Sequence, residues 1–192
     1  MKRAMTMLLF LVASPILAQD AKPLEAGCAR GRAIDCFKLG VRYQRGHGVL
    51  PNPTKAVLLF DSACALGDPK ACVNAATMYN RGAGIKPNVS RAMTLYKQVC
   101  TDGKGAGRSA GCNGLATMYL QGKAVPRDLA KAARLYRQAC NAGNDSACVN
   151  LGAQLERGLG VGRDKAAAEL LYGSACARNH AKGCEALSHM SK

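Results

Sequence analysis

Ten cysteines stand at positions 28, 36, 64, 72, 100, 112, 140, 148, 176 and 184 of this 192-residue chain. Thiols in that number can hold a metal, run redox exchange or form disulfides. A zinc site needs closely spaced ligands such as C-x2-C, or cysteine with histidine at short spacing. A thioredoxin-like centre needs C-x-x-C. Neither spacing occurs here, so the expectation is no metal, no cofactor and five disulfides. Two residues eight apart on one straight helix stand about 12 Å apart along its axis, whereas a disulfide needs Cα atoms within about 7 Å. Cys64 and Cys72 can therefore bond only if the chain reverses between them, as Gly67-Asp68-Pro69 allows. By repetition the expected pairs are Cys28–Cys36, Cys64–Cys72, Cys100–Cys112, Cys140–Cys148 and Cys176–Cys184.

Other chemistry-bearing residues are sparse. The three histidines, His47, His180 and His189, are scattered. A Ser-His-Asp arrangement is recognised by geometry and not by spacing, and no nucleophile-elbow motif supports one. The acidic residues read as helix caps or solvated positions, so the balance is against an enzyme. The segment Gly103-Lys104-Gly105-Ala106-Gly107-Arg108 reads as a Gly-rich basic surface loop inserted into a regular pattern. It lacks P-loop spacing.

That pattern is a ruler. The cysteine gaps run 8, 28, 8, 28, 12, 28, 8, 28 and 8, a 36-residue period with one four-residue insertion between Cys100 and Cys112. Counting from the second cysteine of each pair, position 7 holds Tyr43, Tyr79, Tyr119 and Leu155. Position 10 holds Gly46, Gly82, Gly122 and Gly158, and position 16 holds Asn52, Asn88, Asp128 and Asp164. Position 20 holds Ala56, Ala92, Ala132 and Ala168, and position 24 holds Phe60, Tyr96, Tyr136 and Tyr172. Apolar residues at helical spacing, a glycine stop and an Asn/Asp N-cap describe two helices per repeat. Gly67, Gly103, Gly143 and Asn179 then close the second helices in a left-handed conformation. With no strand alternation, the expected fold is all-α: a right-handed solenoid of antiparallel helix pairs, disulfide-stapled.

The residues Leu39-Gly40, Tyr43, Gly46, Gly48-Val49, Lys55-Ala56, Phe60 and Ala63-Cys64, repeated at Leu115 to Cys140, resemble the Sel-one-like repeat, a relative of the tetratricopeptide repeat. The C-x7-C pairs bring the chain near the cysteine-rich secreted branch typified by the Helicobacter cysteine-rich proteins. The resemblance covers residues 28 to 192 and implies a scaffold that binds proteins or peptides through its concave face. It also implies, as the alternative, penicillin binding with weak β-lactamase activity. A serine β-lactamase would carry S-x-x-K, and none of the eight serines has lysine three positions on.

In related repeats the first helices line the concave groove. Positions 2, 5 and 9 would then present Lys38 and Arg45, Asn74, Thr77 and Arg81, Thr117, and Asn150 and Arg157. Such a ladder suits an extended peptide backbone or carboxylates, which guanidinium forks match bidentately.

The first eighteen residues set the expected compartment. Lys2 and Arg3 precede a short apolar run from Met5 to Leu17, followed by Ala18, the layout of a cleaved secretory signal peptide. The expected organisation is a signal peptide over 1–18, a linker over 19–27 and a solenoid of four repeats plus a terminal half-repeat over 28–192. Location is expected to be periplasmic or secreted, where cysteines pair. Cleavage removes Lys2 and Arg3 and lowers the formal charge from +15 by two. The basic balance suits an acidic protein or peptide partner, or an anionic cell-envelope polymer. No nucleic-acid motif and no membrane span are present in the sequence, and a monomer is expected. A hydrophobic content of 48% with only 5% aromatics and no tryptophan excludes a polytopic membrane protein and favours tightly packed small residues.

Overall fold

The computed structural model describes residues 21–190, and all ten regular elements among them are helices. In chain order they are α1 (Lys22–Ala29), α2 (Ala33–Arg45), α3 (Pro53–Ala65), α4 (Pro69–Arg81), α5 (Val89–Asp102), α6 (Gly105–Gln121), α7 (Leu129–Asn141), α8 (Asp145–Arg157), α9 (Lys165–Ala177) and α10 (Ala181–Met190). The signal peptide expected over 1–18 lies outside the described residues.

Local sequence sets each boundary. Every complete second helix, α3, α5, α7 and α9, starts at the expected cap: Asn52, Asn88, Asp128 and Asp164 accept the backbone N–H three residues on. Each first helix from α2 to α8 stops at its position-10 glycine, which adopts the left-handed conformation that excludes most side chains. Asp68 and Asn144 add caps at the starts of α4 and α8.

Each helix packs on the next in the chain, and the first helices α4 and α6 also touch, as do α8 and α10. The core combines small residues and one large ring per repeat with aliphatic and methionine side chains such as Leu39, Met78, Leu95 and Met118. Ala56, Ala92, Ala132 and Ala168 are fully buried, beside Phe60, Tyr96, Tyr136 and Tyr172. A small residue opposite the ring is a steric requirement: a Cβ on Gly40 would meet the Phe60 ring at 2.8 Å, and one on Gly152 the Tyr172 ring at 2.6 Å. Protein interiors are dense enough that one added methyl group in such a place forces a shift.

Five disulfides join the expected partners, with Cα separations of 4.5 to 4.7 Å. Each ties the end of a second helix to the start of the following first helix.

Three expectations need correction. Residues 22–27, read as part of a linker, belong to α1, in which Ala21 at the cap and Gly27 are buried. With Cys28 at the place of Cys64, α1 stands as an unaccompanied second helix at the start of the array, as α10 stands as an unaccompanied first helix at its end. The insertion after Gly103 is not a surface loop. It lengthens α6 to 17 residues, and Gly107 lies so close to α4 that a Cβ there would meet Pro69 at 2.7 Å. Gly103 itself is extended, with φ −69° and ψ 163°, whereas Gly67, Gly143 and Asn179 are left-handed as expected. The longer connection to α6 removes the need for an abrupt reversal at Gly103.

Candidate binding face

The first helices bring polar side chains from neighbouring repeats into one notch. A cavity of about 240 Å³ opens between α4 and α6, lined by Thr77, Asn80, Arg81, Asn113, Thr117 and Ser146 among others. No carboxylate lines it. Its floor is reached through Gly114, where a Cβ would strike the Tyr96 ring at 2.4 Å. Asn74 and Asn150 occupy the equivalent place in repeats two and four, so glycine here opens a gap in the ladder that the Tyr96 ring fills from below.

The expected ladder residues divide into three groups. Lys38, Arg45, Arg81 and Arg157 are exposed, and of these only Arg81 lines the notch. Thr77 and Thr117 line it too, but their hydroxyls are committed inward: each donates to the carbonyl four residues back or pairs with a tyrosine hydroxyl of its own repeat, Thr77 with Tyr96 at 2.8 Å and Thr117 with Tyr136 at 2.9 Å. Asn74 is half-buried, as is Asn150, whose amide donates to Asn113 Oδ1 at 3.3 Å.

Asn80, Asn113 and Ser146 were not anticipated. Asn80 precedes the ladder arginine and Asn113 follows Cys112, positions that fall beside the chosen helical stripe. Asn80 Oδ1 is buried without a hydrogen-bond partner. A buried acceptor left unpaired costs about 1–3 kcal/mol, and Asn80 is also one of the residues that line the notch. Burial raises the pKa of Tyr96 and Tyr136, partly offset by their threonine bonds. Both are neutral hydrogen-bonding groups at physiological pH.

Among the described residues, a hydrolytic triad does not form at the contact between Ser146 and His180. Ser146 Oγ lies 3.1 Å from His180 Nε2, but His180 Nδ1 is buried without a partner, and the Asp145 carboxylate is held by Arg178 at 2.5 Å. The acid that would orient the imidazole is therefore paired elsewhere. Among the described residues no group of three His, Cys, Asp or Glu is placed to hold a metal, and no helix is long and apolar enough to cross a membrane.

The repeat architecture and its sequence register match the Sel1 repeat over residues 33–68, 69–104, 109–144 and 145–180. The chain belongs to the Sel1 repeat family. Three of the four matched Sel1 units begin at the first residue of α2, α4 and α8, and the other begins within α6, at residue 109, beyond the added turn. No curated protein is significantly similar to the chain. Among solved structures, c5321, a protective antigen present in uropathogenic Escherichia coli strains displaying an SLR fold, is 28% identical with a TM-score of 0.79 over 91% of this chain and 36% of its own. A Sel1 repeat protein from Oxalobacter formigenes is 25% identical with a TM-score of 0.74 over 85% and 64%. The immunity protein Pa5087 from Pseudomonas aeruginosa, 18% identical with a TM-score of 0.55 over 88% and 61%, shares the fold. This Sel1 chain thus spans about a third to two-thirds of the length of each. Sel1 repeats generally mediate protein–protein interaction, and the five disulfides are compatible with an extracytoplasmic protein.

Proposed function

We propose that this Sel1 protein is an extracytoplasmic scaffold that captures an extended polypeptide segment of a partner along its first-helix face, centred on the notch between α4 and α6. The observation that carries this reading is the buried, unpartnered Asn80 Oδ1 in a notch without carboxylates. An extended backbone presents N–H groups at regular spacing, and one of these can satisfy the amide oxygen. Arg81 at the rim supplies a fork for a carboxylate of the same segment. Direct contact between α4 and α6 supports the first helices as the closely spaced inner face of the array, as in a curved solenoid.

The test uses the oxidised full-length protein exported to the periplasm. Intact mass is expected to correspond to a chain beginning at Gln19. The partner recovered by cross-linking in the periplasm should be lost from Asn80→Ala and Arg81→Glu variants, and retained by Lys165→Glu, which changes an exposed residue of α9. Equal recovery by all three variants would overturn the groove reading, and retention of the first eighteen residues would overturn the secretion reading.

A further inference from the structure

The four repeats of this chain act as internal comparisons, and one surface position changes sign among them. In repeat one, Tyr43 of α2 and Lys55 of α3 hold the carboxylate of Glu25 from the preceding second helix. The Tyr43 hydroxyl donates to Glu25 Oε1 at 3.3 Å, Lys55 Nζ lies 3.5 Å from the same oxygen, and the ammonium sits 4.2 Å from the Tyr43 ring centroid. Repeat two builds the same unit: Tyr79 donates to Asp61 Oδ2 at 2.6 Å, and Arg91 pairs with Asp61 Oδ1 at 3.2 Å.

Repeat three keeps two of the three parts. Lys131 Nζ sits 4.3 Å from the centroid of the Tyr119 ring, nearly as Lys55 sits on Tyr43. The backbone frame is also kept: the N–H of Asn52, Asn88 and Asp128 donates to the carbonyl of Tyr43, Tyr79 and Tyr119 at 2.8, 2.9 and 3.0 Å. The third part is inverted, because the position of Glu25 and Asp61 is taken by Lys97. The Tyr119 hydroxyl and the Lys131 ammonium accordingly make no hydrogen bond or ion pair with a protein acceptor among the described residues, in contrast to their counterparts. The surroundings add to the change: α7 carries Lys131, Arg134 and Arg137 and no acidic residue.

We propose that Tyr119, Lys131 and Lys97 form a carboxylate-binding site that engages an acidic segment of a partner polypeptide. The donors are arranged as the chain itself arranges them around Glu25 and Asp61. A carboxylate arriving from outside finds a hydroxyl donor, a cation positioned by a tyrosine ring, and an additional lysine in place of the internal acid. Charge-assisted hydrogen bonds of this kind are the strong ones. Arg134 and Arg137 lie further along the same helix and extend the site to a run of acidic residues. Repeat four closes the series, since Leu155 and Ala167 replace the tyrosine and the cation, so the site is specific to one repeat. It does not depend on the notch between α4 and α6.

Binding of a fluorescent hexaglutamate peptide to the oxidised protein, followed by anisotropy at low ionic strength, tests the proposal. Lys97→Asp restores the internal carboxylate of repeats one and two, and is expected to weaken binding about tenfold or more. Lys86→Asp makes the same charge change at another exposed lysine and should weaken it less than about twofold. Tyr119→Phe should weaken it about threefold while leaving the helical circular dichroism unchanged. Equal effects of Lys97→Asp and Lys86→Asp would overturn the site in favour of diffuse charge attraction. Tighter binding of polyphosphate than of hexaglutamate, with the same sensitivity to Lys97→Asp, would overturn the acidic polypeptide in favour of a phosphate polymer. Arg81→Glu, directed at the notch, is expected to leave hexaglutamate binding unchanged, which separates failure of this site from failure of the groove.

Discussion

The hydroxyl of Thr77 lies 2.8 Å from the hydroxyl of Tyr96, joining the first helix of repeat two to its own second helix beneath the candidate binding face. Thr117 and Tyr136 repeat the relationship at 2.9 Å. Where the threonine position holds Val41, the ring is Phe60, without a hydroxyl. Where it holds Ala153, the Tyr172 hydroxyl turns instead to Glu156 at 3.0 Å. The two positions thus vary together within one chain, because a hydroxyl on a buried ring needs a partner.

Thr77→Val is therefore expected to destabilise the protein by about 1–3 kcal/mol, since it leaves the Tyr96 hydroxyl unpaired, and Tyr96→Phe by about 1 kcal/mol. The double substitution reproduces the pair found in repeat one and should cost less than the sum of the single changes. Urea denaturation of the four proteins of the cycle measures the coupling; strictly additive losses would show that the two hydroxyls do not depend on each other.

Alkaline stability should depend on Tyr79. Burial first, then the hydrogen bond to Asp61, pushes its pKa up to about 12. A native pKa above the unfolded value of about 10 means that the native state holds the proton more firmly. This contribution is fully present below about pH 10 and is lost as the pH rises toward about 12. Tyr79→Phe should remove a late-titrating component from the absorbance at 295 nm and flatten the fall in stability over that window. An unchanged titration would place the late component on other tyrosines.

The disulfides should contribute separately. Each short loop is worth about 2.6 kcal/mol on the chain-entropy account. Replacing both Cys64 and Cys72, which join α3 to α4, by serine should lower denaturation midpoints in line with that figure, with the m-value retained. Thiol titration of the denatured, unreduced protein should return no free thiol, as no free cysteine exists in the structure.

Ala124 offers a stabilising change. It adopts a φ of 63°, at the position that Gly48, Gly84 and Gly160 fill in the other three repeats, all with positive φ. The left-handed region costs a non-glycine residue about 1–2 kcal/mol, part of which glycine returns as unfolded-state entropy. Ala124→Gly should raise the thermal midpoint, a shift readable by calorimetry; a lower midpoint would mean that the methyl group has a packing role.

Much of the architecture is legible in the chain because its determinants are local and recur in register. Asn52, Asn88, Asp128 and Asp164 cap, Gly46, Gly82, Gly122 and Gly158 stop, and cysteines eight or twelve apart can meet only across a reversal. The added residues before Cys112 were misread for the opposite reason. Gly105, Gly107 and Gly111 carry poor helix propensity, yet α6 extends through them because the turn packs on Pro69 and the Arg108 side chain donates to the Cys100 carbonyl at 3.2 Å. Tertiary contact overrode propensity there.

The candidate sites divide along the same line. Sequence alone determined the repeat length, the two-helix unit, the disulfide partners and the stripe of polar residues on the first helices, since each follows from spacing along one chain. Only the tertiary structure decided which of those residues remain available. It turned Thr77 and Thr117 inward, drew Asn80, Asn113 and Ser146 from different helices into one notch, and set Lys131 over Tyr119 beside the position that carries an acid in the two preceding repeats. Those outcomes depend on distances between helices about one repeat apart, and no pattern within a single helix encodes them.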